Sequence, residues 1–201
     1  MKDRVVFLDR DGTINKEVDY LYKIEDFEFI PNAPEAIKIF HELGYKVIVI
    51  TNQAGVARGY YKETDIEILH KYIDKLLEKG GTYINAYYYC PHHPDGTVKE
   101  YSYQCNCRKP ETGMIDQAIR DYDVDLGRSI LIGDKEIDIK TGKNSGIGKS
   151  YLVKSGHDIE EDTTQADNIH DDLYKIALEL KEKDEKMKKS NGSVWNKARS
   201  D

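Results

Sequence analysis

Five short apolar runs punctuate this chain, and four of them end in polar residues able to carry chemistry. The first, Val5-Val6-Phe7-Leu8, is too short for a helix and is flanked by charge, so it reads as a buried strand. Residues 46–50, 86–89, 130–132 and 151–153 repeat the pattern. Between the runs the apolar spacing changes to three and four, the period of an amphipathic helix. One helix is predicted from Asn32 as N-cap, with Pro34 in its first turn, Ala33, Ile37 and Phe40 on one face, and Gly44 as its stop. A second is predicted behind a capping box at Thr64-x-x-Glu67, with Ile66, Leu69, Ile73, Leu76 and Leu77 inward and Gly80-Gly81 closing it. A third is expected around Met114, Ala118, Ile119 and Tyr122. A last one is spaced by Ile169, Leu173, Ile176 and Leu180.

Residues 14–30 mix acids and aromatics and read as a loop with a short extended piece at 27–29, long enough to lie over a site. Residues 54–61 read as a second loop, and Gly142, Gly146 and Gly148 as a tight turn. Strands alternating with helices predict an α/β, doubly wound, mostly parallel sheet with right-handed crossovers, covered on both faces. The expected organisation is a single domain over 1–180 without a large cap, an insertion at 90–107, and a charged, disordered tail over 181–201.

Composition narrows the function. The 201 residues are 39% hydrophobic and 33% charged, suited to one globular domain. No apolar run approaches membrane-spanning length and the N-terminus lacks a signal pattern, so the expectation is a cytoplasmic protein with no membrane partner. A formal charge of −7 argues against a general nucleic-acid binder. An anionic substrate must therefore find local positive charge.

In a doubly wound sheet, ligands sit beyond the carboxyl ends of the strands. Four groups gather there: Asp9 and Asp11, Thr51 and Asn52, Arg108 and Lys109, and Asp134 and Asp138. On extended chain, Asp9 and Asp11 point the same way and form a hard-oxygen site for a divalent cation. Asp and Gly are also ordinary strand-to-turn residues, so D-x-D-G alone does not separate a site from a turn. A calcium-binding EF-hand is excluded by spacing, which would need glycine at Ile14 and glutamate at Tyr20.

The three cysteines form an odd set for disulfides but a good one for a metal. Cys90-Pro91-His92 and Cys105-Asn106-Cys107 are two one-spacer pairs, enough for one tetrahedral zinc site. Residues i and i+2 share a face of extended chain, which selects His92 over His93. Such a closed site is structural, staking down the loop.

The ordered set Asp9-Arg10-Asp11-Gly12-Thr13, Thr51, Lys109 and Gly133-Asp134 with Asp138 resembles the haloacid dehalogenase phosphatase superfamily. The resemblance implies Asp9 as a nucleophile attacking phosphorus and Asp11 as the acid and base. It further implies Mg²⁺ held by Asp9, Asp134 and the Asp11 carbonyl, with Thr51 and Lys109 on the phosphoryl oxygens and Asp138 positioning Lys135 or Lys109. CPHHPDG with CNCRKP, DRDGTIN, TNQAGVARGYY and GDKEIDI resemble the zinc-loop branch of that superfamily, which handles heptose 1,7-bisphosphate or, alternatively, histidinol phosphate. Ala57-Arg58-Gly59 favours the heptose side, whereas residues 17–20 and 140–144 depart from the usual wording. On that resemblance the partner is a small phosphorylated sugar, cleaved at C7 by a monomer. It would be held by Glu17, Val18, Asp19, Tyr20, Thr51, Asn52, Gln53, Ala54, Arg58, Arg108, Lys109 and Lys135. A zinc-stabilised binding module, the non-enzyme alternative, would lack catalytic groups; here all are present.

Overall fold

The computed structural model describes residues 2–197, with side chains described for residues 2–190. Six strands form one parallel sheet in the order β3-β2-β1-β4-β5-β6. They are β1 (Arg4–Leu8), β2 (Tyr45–Asn52), β3 (Ala86–Cys90), β4 (Ile130–Gly133), β5 (Lys149–Val153) and β6 (Asn168–His170). The helices are α1 (Ala33–Glu42), α2 (Glu63–Lys79), α3 (Gly113–Asp121), α4 (Glu136–Ser145) and α5 (Leu173–Lys197). Among the described residues no helix is long and apolar enough to cross a membrane.

Alternation along the strands explains the two-sided core. Val6 and Leu8 face one side with Val47, Val49, Ile130 and Ile132, where Ile37 and Phe40 of α1, Leu69 and Ile73 of α2 and Leu173 and Ile176 of α5 cover them. Val5 and Phe7 face the other with Ile48, Ile50 and Leu131, beneath Met114, Ile115 and Ala118 of α3. Strand order reverses beside β1, so the carboxyl ends of β1 and β4 lie next to each other at the switch point. Asp9 N donates to Ile132 O at 2.9 Å and holds them together.

Several expectations shift. Asn32 stands before α1 but adopts φ 62° and makes no side-chain cap. The α2 cap is not Thr64 with Glu67: the helix begins two residues earlier, and Asp65 Oδ2 accepts from Lys62 N at 2.7 Å. Leu76, expected inward, is only partly buried. Ile169 belongs to the edge strand β6 rather than to the last helix. The expected glycine turn is mostly helix, since Gly142 sits inside α4 and only Gly146, at φ 75°, ends it. A Cβ at Gly142 would stand 2.1 Å from Ser150 Oγ, so the bare backbone there lets α4 lie against β5. The tail expected to be disordered from Lys181 continues α5 as helix to Lys197. Ion pairs one turn apart, Glu179 with Lys183 and Asp184 with Lys188, support that extension. Residues 198–201 of the expected tail lie outside the described residues.

Candidate active site

Each polar group owes its place to the end of a strand. Beyond β1 come Asp9 and Asp11, beyond β4 comes Asp134, and Thr51 and Asn52 close β2. Lys109 arrives from the cysteine loop. Asn52 docks it in place through a reciprocal pair, Lys109 N to Asn52 Oδ1 at 3.0 Å and Asn52 Nδ2 to Lys109 O at 3.2 Å. The Lys109 ammonium is buried and uses its three donors on Ile50 O at 3.0 Å, Asp9 Oδ1 at 2.9 Å and Asp138 Oδ1 at 2.6 Å. Burial alone would lower its pKa, but the Asp138 and Asp9 charges outweigh burial and drive it up. Asp138 thus positions Lys109 by its side chain and only the backbone N–H of Lys135, at 3.1 Å. The Lys135 ammonium turns to Glu17 at 3.4 Å.

Asp9, Asp134 and Asp138 each offer an oxygen within 4.8 Å of the others, all of them buried. Burial first, then the Asp9 and Asp138 charges, push Asp134 up to about 9. Its Oδ1 is buried without a hydrogen-bond partner among the described residues. Lys109 already answers Asp138, so the orphaned Asp134 oxygen beside Asp9 is what fits a hard divalent cation.

Asp11 is held differently. Its Oδ1 accepts from Arg10 Nε at 3.2 Å and Asn15 Nδ2 at 3.0 Å, and its Oδ2 from Arg10 Nη2 and Gln53 Nε2, each at 3.0 Å. Gln53 is fixed in turn by Tyr61, whose hydroxyl donates to Gln53 Oε1 at 2.7 Å. A cavity of about 230 Å³ opens above these groups. Asp9, Asp11, Glu17, Val18, Asp19, Tyr20, Thr51, Asn52, Gln53, Ala54, Lys109 and Lys135 all line it, joined by Leu21, Tyr61 and Ile137. At its rim Tyr20 meets Tyr60 edge to face, with ring centroids 4.6 Å apart.

Arg58 and Arg108 do not line that cavity. Arg108 donates to His92 O at 3.3 Å and borders a neighbouring hollow with His93 and Lys109. Arg58 leaves its Nε buried without a partner among the described residues. Ala57 N donates to Pro91 O at 3.2 Å, which brings the Arg58 loop against the start of the cysteine loop that Arg108 meets, so the two arginines form one basic corner; burial and then the charges of Arg108 and Arg58 depress His93 beside it. Glu63, the nearby acid at the start of α2, accepts from Tyr89 and Tyr101, each at 2.8 Å.

The cysteine loop brings Cys90, His92, Cys105 and Cys107 together, with one donor atom of each within 4.8 Å of the rest. Cys107 Sγ lies 3.0 Å from Cys90 Sγ and 3.3 Å from both Cys105 Sγ and His92 Nδ1. Nδ1 of His93 accepts from Asp95 N at 3.1 Å. Three sulfurs and one imidazole nitrogen are the donor set of a closed structural zinc site. The other nitrogen of His92 meets Tyr103 Oη at 2.6 Å, a partner of the kind that fixes a ligating imidazole.

Comparison with known proteins decides the family. The chain is 50% identical over 176 residues, 88% of its length and 96% of the relative's, to D-glycero-alpha-D-manno-heptose-1,7-bisphosphate 7-phosphatase of Photorhabdus laumondii. It belongs to the D-glycero-D-manno-heptose-1,7-bisphosphate 7-phosphatase family. The beta-anomer relative in the same organism is 40% identical over 164 residues, 82% of this chain and 87% of that one. The HAD-hydrolase-like family model matches residues 106–176. Among solved structures, D,D-heptose 1,7-bisphosphate phosphatase from B. bronchiseptica, complexed with magnesium and phosphate, superposes with a TM-score of 0.76 at 28% identity. The match covers 90% of this chain and 99% of that one. The protein is thus a phosphatase with the haloacid dehalogenase-like fold.

Three residues of this heptose-bisphosphatase-family site were not legible as such. Arg10 is fully buried, gripping Asp11 and also donating to Leu21 O at 3.1 Å. His70 meets Arg10 Nη1 through Nε2 at 3.3 Å and stacks on Tyr87 at 4.2 Å. Arginine can only donate, so His70 Nε2 accepts and the ring is neutral, in keeping with burial and Arg10 lowering it to about 3. His157, from the segment after β5, touches Asp134. In the sequence all three look like surface charge.

Proposed function

We propose that this phosphatase removes the C7 phosphate of D-glycero-D-manno-heptose 1,7-bisphosphate, preferring the α anomer, and leaves the C1 phosphate in place. The observation that carries the reading is the 50% identity to the alpha-named relative against 40% to the beta-named one of the same organism.

The site supports the chemistry. Lys109 holds Asp9 Oδ1, which leaves Oδ2 as the attacking atom for an aspartyl-phosphate. Thr51 and Lys109 meet the phosphoryl oxygens, Lys109 by turning one N–H from its present acceptors, and the charge of Lys109 offsets that of the arriving phosphate. Asp11 gives a proton to the leaving sugar oxygen and later takes one from water. To do so it turns from one of its present partners; Gln53 reaches it from another strand end. Asp9, Asp134 and the Asp11 carbonyl would hold Mg²⁺, which supplies charge neutralisation at the phosphoryl group. Cys90, His92, Cys105 and Cys107 would hold zinc, which fixes the loop that delivers Lys109. Glu17, Val18, Asp19 and Tyr20 line the sugar's side of the cavity, and Arg58 and Arg108 form the corner for the second phosphate.

The test is phosphate release from the α and β anomers of the bisphosphate and from histidinol phosphate under one set of conditions. The expected order of kcat/KM is α, then β, then histidinol phosphate. Histidinol phosphate in first place, or activity retained by Asp9→Asn, would overturn the reading.

A further inference from the structure

Asp134 is fixed from an unexpected direction. Beyond β5 the chain turns back over the end of β1, where Ser155 Oγ donates to Gly12 O at 2.7 Å. Gly156 then passes so close to Asp134 that a Cβ there would stand 2.0 Å from Oδ2, and one at Gly12 would stand 2.2 Å from it. The carboxylate is clamped between two bare backbones. The next residue, His157, meets that same Oδ2 through Nδ1. Its other nitrogen, Nε2, lies 3.8 Å from Glu17 Oε2, and Glu17 reaches Lys135.

We propose that His157 is a positioning residue for the cation site: it occupies Asp134 Oδ2, so that Oδ1 alone is left to coordinate, and it links that ligand to the substrate-lining Glu17. The division of labour between the two oxygens carries the argument. Oδ2 has a hydrogen-bond partner and two glycines against it, whereas Oδ1 is buried and has none among the described residues. A carboxylate free to rotate would have to be ordered when the cation bound; one already held would not. Partners that orient metal ligands are commonly worth about ten- to a hundredfold in affinity. The His157 side chain is 39% exposed, so its removal opens no core cavity.

The inference rests on Asp134 being a cation ligand, and the experiment separates the two. Mg²⁺ is titrated into the zinc-loaded protein without substrate, and the rise in Tm is followed for wild type, His157→Ala and His157→Gln. The half-saturating Mg²⁺ concentration is expected to rise about tenfold or more in His157→Ala and to be partly restored in His157→Gln, whose amide can still donate. The Tm without Mg²⁺ should fall modestly in His157→Ala, where the buried Asp134 Oδ2 loses its partner, and less in His157→Gln, so each variant's Mg²⁺ response is read against its own metal-free Tm. Equal half-saturation in wild type and His157→Ala overturns the role of His157 alone. Absence of any Mg²⁺ response in wild type overturns the assignment of Asp134 as well. As a second readout, KM for the bisphosphate at saturating Mg²⁺ should move far less than the Mg²⁺ requirement; a reversed pattern would make His157 a substrate contact instead.

Discussion

Lys109 Nζ lies 2.6 Å from Asp138 Oδ1, and both side chains are 1% exposed. A buried ammonium so close to one carboxylate, with Asp9 at 2.9 Å on its other side, sets the charge balance of the whole site. Removing the cation while keeping its length, as in Lys109→Met, strands two carboxylates in the interior. Breaking a buried pair in this way typically costs about 3–5 kcal/mol. The expected result is a large fall in Tm, partly recovered in Lys109→Met/Asp138→Asn, where one stranded charge is gone. Activity should be absent from both. Thermal denaturation of the two variants measures the difference, and an equal loss in both would mean that Asp138 is not Lys109's counter-charge.

Asp134 gives the protein a pH dependence with a definite sign. Its folded pKa, raised to about 9 from 3.8, means that the folded chain keeps a proton that the unfolded chain has lost. Stability from this group is therefore complete below about 3.8 and declines as pH rises toward 9, by up to about 1.4 kcal/mol per pH unit. A divalent cation held at Asp134, as proposed, would replace that proton. The gain in Tm on adding Mg²⁺ should thus be larger at about pH 8.5 than at about pH 6. Calorimetry with and without Mg²⁺ across that range checks it; a gain that shrinks as pH rises would contradict the assignment.

The Tyr103 hydroxyl, 2.6 Å from His92 Nε2, predicts a graded effect on zinc. Protein purified without added zinc should carry one equivalent, and Cys105→Ser/Cys107→Ser should carry none. Tyr103→Phe should still bind, but release zinc to a chelator about ten times more readily. Chelator competition read by a zinc dye gives the ratio. Tyr103 is 48% exposed, so a fall in zinc retention would not reflect a lost core contact.

Much of the fold was readable because burial leaves a mark on composition. The runs of β1, β2 and β4 are fully apolar where both faces are covered, and Asp9, Asp11, Thr51 and Asp134 follow them directly. What escaped was set by contacts distant in sequence. Gly142 looks like a turn residue until Ser150 of β5 is seen pressed against it. Ile169 fits the helical spacing of Leu173 and Ile176, yet pairing with Leu152 makes it a strand. Arg10 and His70 are polar, so periodicity assigns them to the surface, although they bury each other beneath Asp11. Four side chains of the cysteine loop were legible because metal ligation depends on local parity. His157 was not, since only the return of the chain over β1 brings it to Asp134.

The basic corner yields the sharpest test of substrate choice. Arg58 and Arg108 sit outside the cavity that holds Asp9, beside His93, in a chain of net charge −7. A monophosphate seated on Asp9 needs neither of them. A bisphosphate long enough to reach from Asp9 past Lys109 places its second phosphate near Arg108, which borders the adjoining hollow with Lys109. The Arg58 Nε is buried without a partner among the described residues. A guanidinium–phosphate contact is worth about 1.5–3 kcal/mol, which corresponds to roughly a ten- to hundredfold change in binding. Arg108→Ala is therefore expected to raise KM for the bisphosphate by at least about tenfold while changing that for a sugar monophosphate less than about twofold, with kcat little altered for either. Arg58→Ala should follow the same pattern more weakly, because the Nε of that side chain is buried. Steady-state kinetics on the paired substrates distinguishes this from a structural role, in which both substrates would suffer alike.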